Sequence, residues 1–90
     1  MKAQYDSDLL KQLKKINVRI QKSFKKQIFI FTKDAQSPKL RNHALQDKWE
    51  GYRSIDITAD YRAIYKEIIE EASVIAYFVA IGAHKELYGN

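Results

Sequence analysis

The hydrophobic period of this chain changes once, on either side of its only proline, and that change decides the class of fold open to it. From Ser7 to about Asp34 the residues Leu9, Leu13, Ile16, Ile20, Phe24, Ile28 and Phe31 recur every three or four positions, and lysines fill many of the others. Such spacing draws one apolar stripe along a helix. After Gly51 the period falls to two. In Tyr52-Arg53-Ser54-Ile55-Asp56-Ile57-Thr58, polar Ser54 and Asp56 alternate with Ile55 and Ile57, as in a half-buried strand. A helical stripe cannot double as a strand face, so the two halves form separate layers. Helices segregated from strands in this way predict an α+β fold.

Local signals sharpen the outline. Asp6 or Ser7 is placed to accept a bond from the free amides of the first helical turn. Asn17 tolerates turn conformations and predicts a break into two antiparallel helices. The residues before Ser7 suit an edge strand. Gln36-Ser37-Pro38 closes the helical region, because the residue before proline leaves the helical range and proline donates no backbone bond. From Lys39 to Glu50 no period holds. Arg41, Asn42, His43, Lys48 and Trp49 there read as a loop that carries function or caps a core. Ala59-Asp60 makes a tight connection to a second strand, Tyr61 to Ile68, and Glu70-Glu71-Ala72-Ser73 is an acidic turn. Val74 to Ile81 is apolar on both faces and belongs in the middle of the sheet. The expectation is a single domain over residues 1–90: a basic helical hairpin on one face of an antiparallel sheet of three or four strands. The other face is left free.

Composition narrows the setting. A hydrophobic fraction of 46% with three glycines argues against disorder. No cysteine is present, so neither a disulfide nor a thiolate metal site can form, which suits a reducing compartment. Met1 to Asp6 lacks the apolar run of a signal peptide, and Val74 to Ala83 is about half the ~20 residues needed to span a membrane. A cytoplasmic location without membrane contact is expected. The net charge of +5 is uneven: residues 1–33 hold nine Lys/Arg against two Asp, while residues 34–90 hold seven against nine Asp/Glu. That asymmetry suits a polyanion or an acidic protein partner, and equally a solvated helix face.

Phosphate-cradling glycine loops, nucleophile elbows and zinc patterns are missing from the sequence. His43 and His84 lack an evident third ligand, so no metal and no cofactor is expected. If the last long strand pairs antiparallel with its predecessor, His84 emerges near Tyr61, and His43 can fold over the same end of the sheet. Two imidazoles, a carboxylate, an aromatic hydroxyl and guanidinium groups would then share a cleft. That set suits cleavage of RNA. One imidazole or carboxylate takes the 2′-hydroxyl proton and a protonated imidazole serves the leaving oxygen, an ordinary histidine titrating near ~6.5. Arginine or lysine would stabilise the extra charge at phosphorus, and Tyr61, Tyr88 or Trp49 would stack on an unpaired base.

Three segments, in order, carry a family likeness. His43-Ala44-Leu45-Gln46-Asp47-Lys48-Trp49-Glu50-Gly51-Tyr52-Arg53 resembles the "H-x-L-x-G-x-W-x-G-Y-R" run of bacterial RelE/ParE-superfamily toxins, especially the YafQ type. Asp60-Tyr61-Arg62-Ala63-Ile64-Tyr65-Lys66 is similar to its "D-[WY]-x-x-x-Y" strand, and Ile81-Gly82-Ala83-His84-Lys85-Glu86-Leu87-Tyr88-Gly89 to its terminal "x-G-[TS]-H-x-x-L-[FY]-G". With the preceding helical hairpin, the likeness spans essentially the whole chain. It implies a ribosome-dependent mRNA interferase, an endoribonuclease that needs no metal and cuts mRNA in the ribosomal A site. It also implies a cognate antitoxin that binds and blocks the toxin as a hetero-oligomer. Carried over by motif, the catalytic positions are His43, Asp60, His84 and Tyr88. Lys48, Arg53, Tyr61 and Arg62 are expected to hold RNA, and the N-terminal lysines to meet ribosomal RNA.

The chain departs from the pattern at three places. Ala80 stands where the family usually has an arginine, Asp56 where a histidine is common, and Ser54 where an aspartate is. Losing the arginine removes a phosphate clamp, for which Arg53, Arg62 or Lys48 are the replacements the sequence suggests. Two other readings stay open: a ParE-like toxin that inhibits DNA gyrase, since one fold can serve both activities, and a degenerate toxin that binds its antitoxin without cutting.

Overall fold

In the computed structural model, which describes residues 1–89, the helical stripe forms two helices, α1 (Ser7–Lys15) and α2 (Val18–Lys33). Asp6 caps α1 by accepting from the Asp8 amide at 3.0 Å, and its other carboxylate oxygen accepts the Tyr77 hydroxyl at 2.8 Å. The start of the helix is thereby tied to the sheet, and the bond to a carboxylate raises the Tyr77 pKa. Asn17 makes the predicted break. Its side-chain oxygen accepts from the Arg19 amide at 2.7 Å as the N-cap of α2, a contact that contributes about 1 kcal/mol. The second helix stops at Lys33, ahead of the proline, because Asp34 turns extended and its carboxylate holds the Gln36 amide at 3.1 Å.

The sheet has five strands: β1 (Lys2–Tyr5), β2 (His43–Ala44), β3 (Arg53–Asp56), β4 (Tyr61–Glu70) and β5 (Ser73–Ala83), in the order β1-β5-β4-β3-β2. The residues before Ser7 do form an edge strand, laid parallel to β5 with Lys2 opposite Ile75 and Tyr5 opposite Phe78. The remaining pairs are antiparallel. The apolar run of β5 lies between β1 and β4, inside the sheet as its two-sided hydrophobicity predicts. The unforeseen strand is β2, since two residues are too few to show a period.

One face of the sheet carries the core. Leu9, Phe24 and Phe31 pack on Ile55, Ala63, Tyr65, Ala76, Phe78 and Ile81. Phe31 meets the rings of Tyr65 and Phe78 edge-on at 5.1 and 5.3 Å, the arrangement that ring quadrupoles favour. Burial pushes the Tyr65 phenol up in pKa. An irregularity in the β4–β5 pairing puts Ile64 opposite Ala80 but Tyr65 opposite Phe78, so Val79 is the extra residue of a bulge. The bulge lets Phe78 and Ile81, three residues apart, both face the helices. It also turns Ala80 and Gly82 onto the free face, in rows with Ser54 and Ile64 and with Asp56 and Arg62.

The free face is only partly free. After β5 the chain folds back over it as a short helix, α3 (His84–Tyr88). Gly82 permits this: a Cβ there would lie 3.2 Å from Glu86 Oε1 and 3.4 Å from Leu87 Cδ2. Trp49 secures the helix by donating its indole N–H to the Leu87 carbonyl at 3.0 Å. The tryptophan therefore serves as a clasp for α3. The expected domain runs one residue further, to Asn90, which lies outside the described residues.

Candidate active site

A cleft of about 470 Å³ opens on the free face, lined by Arg41, Asn42, His43, Asp56, Arg62, His84 and Tyr88. Three segments meet there: the loop entering β2, the rim of β3 and β4, and α3. Both histidines are present, as the sequence reading expected, and both are exposed. The carboxylate of the cleft is that of Asp56, and its aromatic wall is Tyr88, whose hydroxyl is buried.

Each side chain is held by an identifiable contact. His43 Nδ1 lies 2.9 Å from the Arg41 carbonyl oxygen. A carbonyl can only accept, so Nδ1 carries the proton, and in the neutral ring the lone pair sits on Nε2. His84 is fixed through its backbone, whose amide donates to the Asp60 carbonyl at 2.9 Å. The ring of Tyr88 stands edge-on to His84 with centroids 4.6 Å apart. Asn42 is the hub of the loop. Its amide nitrogen donates to Ala35 O at 3.0 Å and to the Tyr65 hydroxyl at 2.8 Å, and its oxygen accepts Arg53 Nε at 2.9 Å. From α2, Gln27 bridges the carbonyls of Lys39 at 3.1 Å and Asp56 at 2.9 Å, joining that loop to β3.

Asp56 carries the electrostatics of the cleft. Its two oxygens take Arg41 Nε at 2.7 Å and Arg62 Nε at 3.0 Å, so two guanidiniums share one carboxylate and leave a surplus positive charge. The partners differ in exposure: the Arg41 side chain is 70% accessible, that of Arg62 11%. Arg62 also gives Nη1 to the carbonyls of Thr58, Ala59 and Tyr61 at 3.0–3.1 Å.

Four of the residues singled out in sequence do not line the cleft. Lys48 borders a neighbouring depression with Gln46, Asp47, Trp49 and Tyr88. Arg53 is turned to Asn42. The Asp60 carboxylate stands at the exposed tip of the β3–β4 connection, and Tyr61 faces the helical side, in a depression with Gln12, Lys15, Ile16 and Glu86. Conversely, Arg41 and Asn42 read in sequence only as members of a mixed polar loop, whereas Asp56, which the strand pattern puts with Arg62 near one end of the sheet, does line the cleft. Asp47 occupies the glycine position of the "H-x-L-x-G-x-W" run, and its φ of +56° shows why glycine suits that point.

Residues 1–89 match the family model described as bacterial toxin of type II toxin-antitoxin system, YafQ. The chain belongs to the YafQ toxin family. Its fold is that of YafQ from E. coli strain BL21(DE3), which is 22% identical with a TM-score of 0.75, 97% of each chain being covered. A YoeB/ParE toxin from Agrobacterium tumefaciens superposes with a TM-score of 0.72 at 16% identity, over 93% of this chain and 99% of that one. The E. coli DinJ-YafQ complex matches with a TM-score of 0.62 at 23% identity, over 97% of each chain. No curated protein matches the YafQ-family chain significantly in sequence. Among its described residues no helix is long and apolar enough to cross a membrane, and no three His, Cys, Asp or Glu cluster as metal ligands would.

Proposed function

We propose that this toxin is a ribosome-dependent endoribonuclease that cuts translated mRNA by attack of a 2′-hydroxyl on the adjacent phosphate. The observation that carries the reading is the cleft itself, where two exposed histidines flank a site with surplus positive charge. His43 acts as the base: Nε2, free because Nδ1–H is spent on the Arg41 carbonyl, takes the 2′-hydroxyl proton. The 2′-oxygen bonds to phosphorus, the bond from phosphorus to the 5′-oxygen breaks, and His84 as imidazolium protonates the departing oxygen. The products are a 2′,3′-cyclic phosphate and a 5′-hydroxyl, and exchange with water resets both exposed rings. Asp60 supports His84 through its backbone carbonyl.

The same reading includes a cognate antitoxin. Related toxins occur in complex with theirs, as in DinJ-YafQ. The lysine-rich outer face of α1 and α2 would accept an acidic, partly disordered segment that folds as it binds. An antitoxin encoded beside the toxin should co-purify with it when the two are co-expressed.

Ala80 favours a second reading, a toxin that binds its antitoxin but no longer cuts. One experiment separates them. Primer extension on a translated mRNA after induction should show new 5′ ends within codons for the wild type. The ends should disappear in His43→Ala and His84→Gln, general acid–base groups being worth about 10²–10⁴ in rate. Growth arrest without RNA cuts would sink the nuclease reading, and DNA damage in its place would point to gyrase.

A further inference from the structure

We infer that Arg41 is the phosphate-binding cation of this cleft, held in place by Asp56, and that together they replace the arginine missing at Ala80. The inference rests on the nuclease reading above and names the source of its charge stabilisation.

The other candidate cations are nearly buried or lie outside the cleft. Arg62 is nearly buried, with Nε on Asp56 and Nη1 on three backbone carbonyls. Arg53 Nε is bonded to Asn42, and Lys48 borders a different depression. Ala80 lies on the free face opposite Ile64 and offers nothing beyond a methyl group. Arg41 has the opposite character. It lines the cleft, its side chain is 70% accessible, and only Nε is engaged, leaving two Nη groups without partners among the described residues. A guanidinium held by Nε with its Nη edge open is arranged to take two phosphate oxygens.

The backbone is built to hold it there. Arg41 sits at φ +47°, a conformation that side-chain-bearing residues seldom adopt, which persists where the surroundings impose it. The neighbouring Leu40 is fully buried, and its carbonyl accepts the Asp56 amide at 2.7 Å. The Arg41 carbonyl in turn orients His43. One residue thus sets both the direction of the base and the position of a cation beside it. Asp56 makes sense of the second departure from the family pattern. A carboxylate can bridge two guanidiniums, anchoring the exposed Arg41 to the nearly buried Arg62, whereas a neutral imidazole has a single acceptor nitrogen to offer.

The test is single-turnover cleavage of mRNA on programmed ribosomes with saturating toxin, alongside ribosome affinity and melting temperature. Arg41→Ala should lower the cleavage rate about 10²–10³-fold, the range seen when one charge-stabilising donor is lost. Its melting temperature should stay near wild type, since so exposed an ion pair adds little stability. Arg41→Lys should recover part of the rate, and Ala80→Arg placed in the Arg41→Ala background should recover more. Asp56→Asn, which keeps an acceptor for Arg62, should slow cleavage with ribosome affinity little changed. Wild-type cleavage in Arg41→Ala would overturn the inference while leaving the nuclease reading intact. So would a loss that follows ribosome affinity and is rescued by neither cation. If the wild type itself cuts nothing, the nuclease reading fails and takes this inference with it.

Discussion

The Tyr88 hydroxyl is buried and has no hydrogen-bond partner among the described residues, although its ring lines the cleft and touches His84. An unpaired buried hydroxyl costs about 1–3 kcal/mol, so the free protein keeps it at a loss. Tyr88→Phe should therefore melt at or above the wild-type temperature, yet cut mRNA at least tenfold more slowly if substrate supplies the missing partner. A phenylalanine variant with full activity would reduce Tyr88 to a packing residue. Ser54 is the other buried hydroxyl without a partner, beneath the cleft at a position where the family has aspartate. At this scale the sequence singled out His43, His84 and Tyr88, which share the cleft, because each lies in a short motif at the end of an element. It was uninformative about Arg41, whose role depends on a positive φ and on a carboxylate fifteen residues away, neither of which leaves a local pattern. Asp60 shows the converse: its carbonyl, not its carboxylate, holds His84, and a backbone role is invisible in residue type.

Helices and long strands were legible because each repeats its period several times, and Asn17 marks the helical break by its own capping chemistry. Elements too short to repeat their period were not: β2 has two residues and α3 five. The β4–β5 hairpin allows a stability test away from the cleft. Its two linking residues, Glu71 and Ala72, have φ of +49° and +64°, the pairing of a type I′ turn that favours Asn-Gly. Replacing them together, Glu71→Asn with Ala72→Gly, should stabilise the fold by about 1 kcal/mol, since left-handed backbone costs other residues that order of energy. Chemical denaturation should show the gain, and cleavage should be unaltered. At the opposite end of β5, Gly82→Val would drive a branched side chain into Glu86 and Leu87. Because α3 carries His84 and Tyr88, that variant should lose cleavage more than stability, with Trp49 fluorescence reporting the displaced helix through its bond to Leu87.

Taken as one object, the molecule keeps its cleft and most of its lysines on different sides. The cleft lies on the sheet face away from the helices, while Lys11, Lys14, Lys15, Lys22, Lys25 and Lys26 are exposed on the helices themselves. This separation was half visible in the sequence: the +7 balance of residues 1–33 was plain, but which way it faced depended on the packing. A toxin acting within the ribosome would be surrounded by RNA, so a basic back surface can grip ribosomal phosphates while the cleft takes the mRNA. Each phosphate contact contributes about 0.7–0.9 to the slope of log affinity against log salt. Lys22, Lys25 and Lys26 share one face of α2 by their spacing. Changing all three to glutamate should therefore flatten that slope by about 2–3 and weaken ribosome binding at low salt. None of the three lines the cleft, so single-turnover cleavage at saturating toxin should persist. A wild-type affinity that barely changes between about 50 and 200 mM salt would mean that the lysines only solvate the helices, and would shift the electrostatic part of recognition onto the cleft and Arg41.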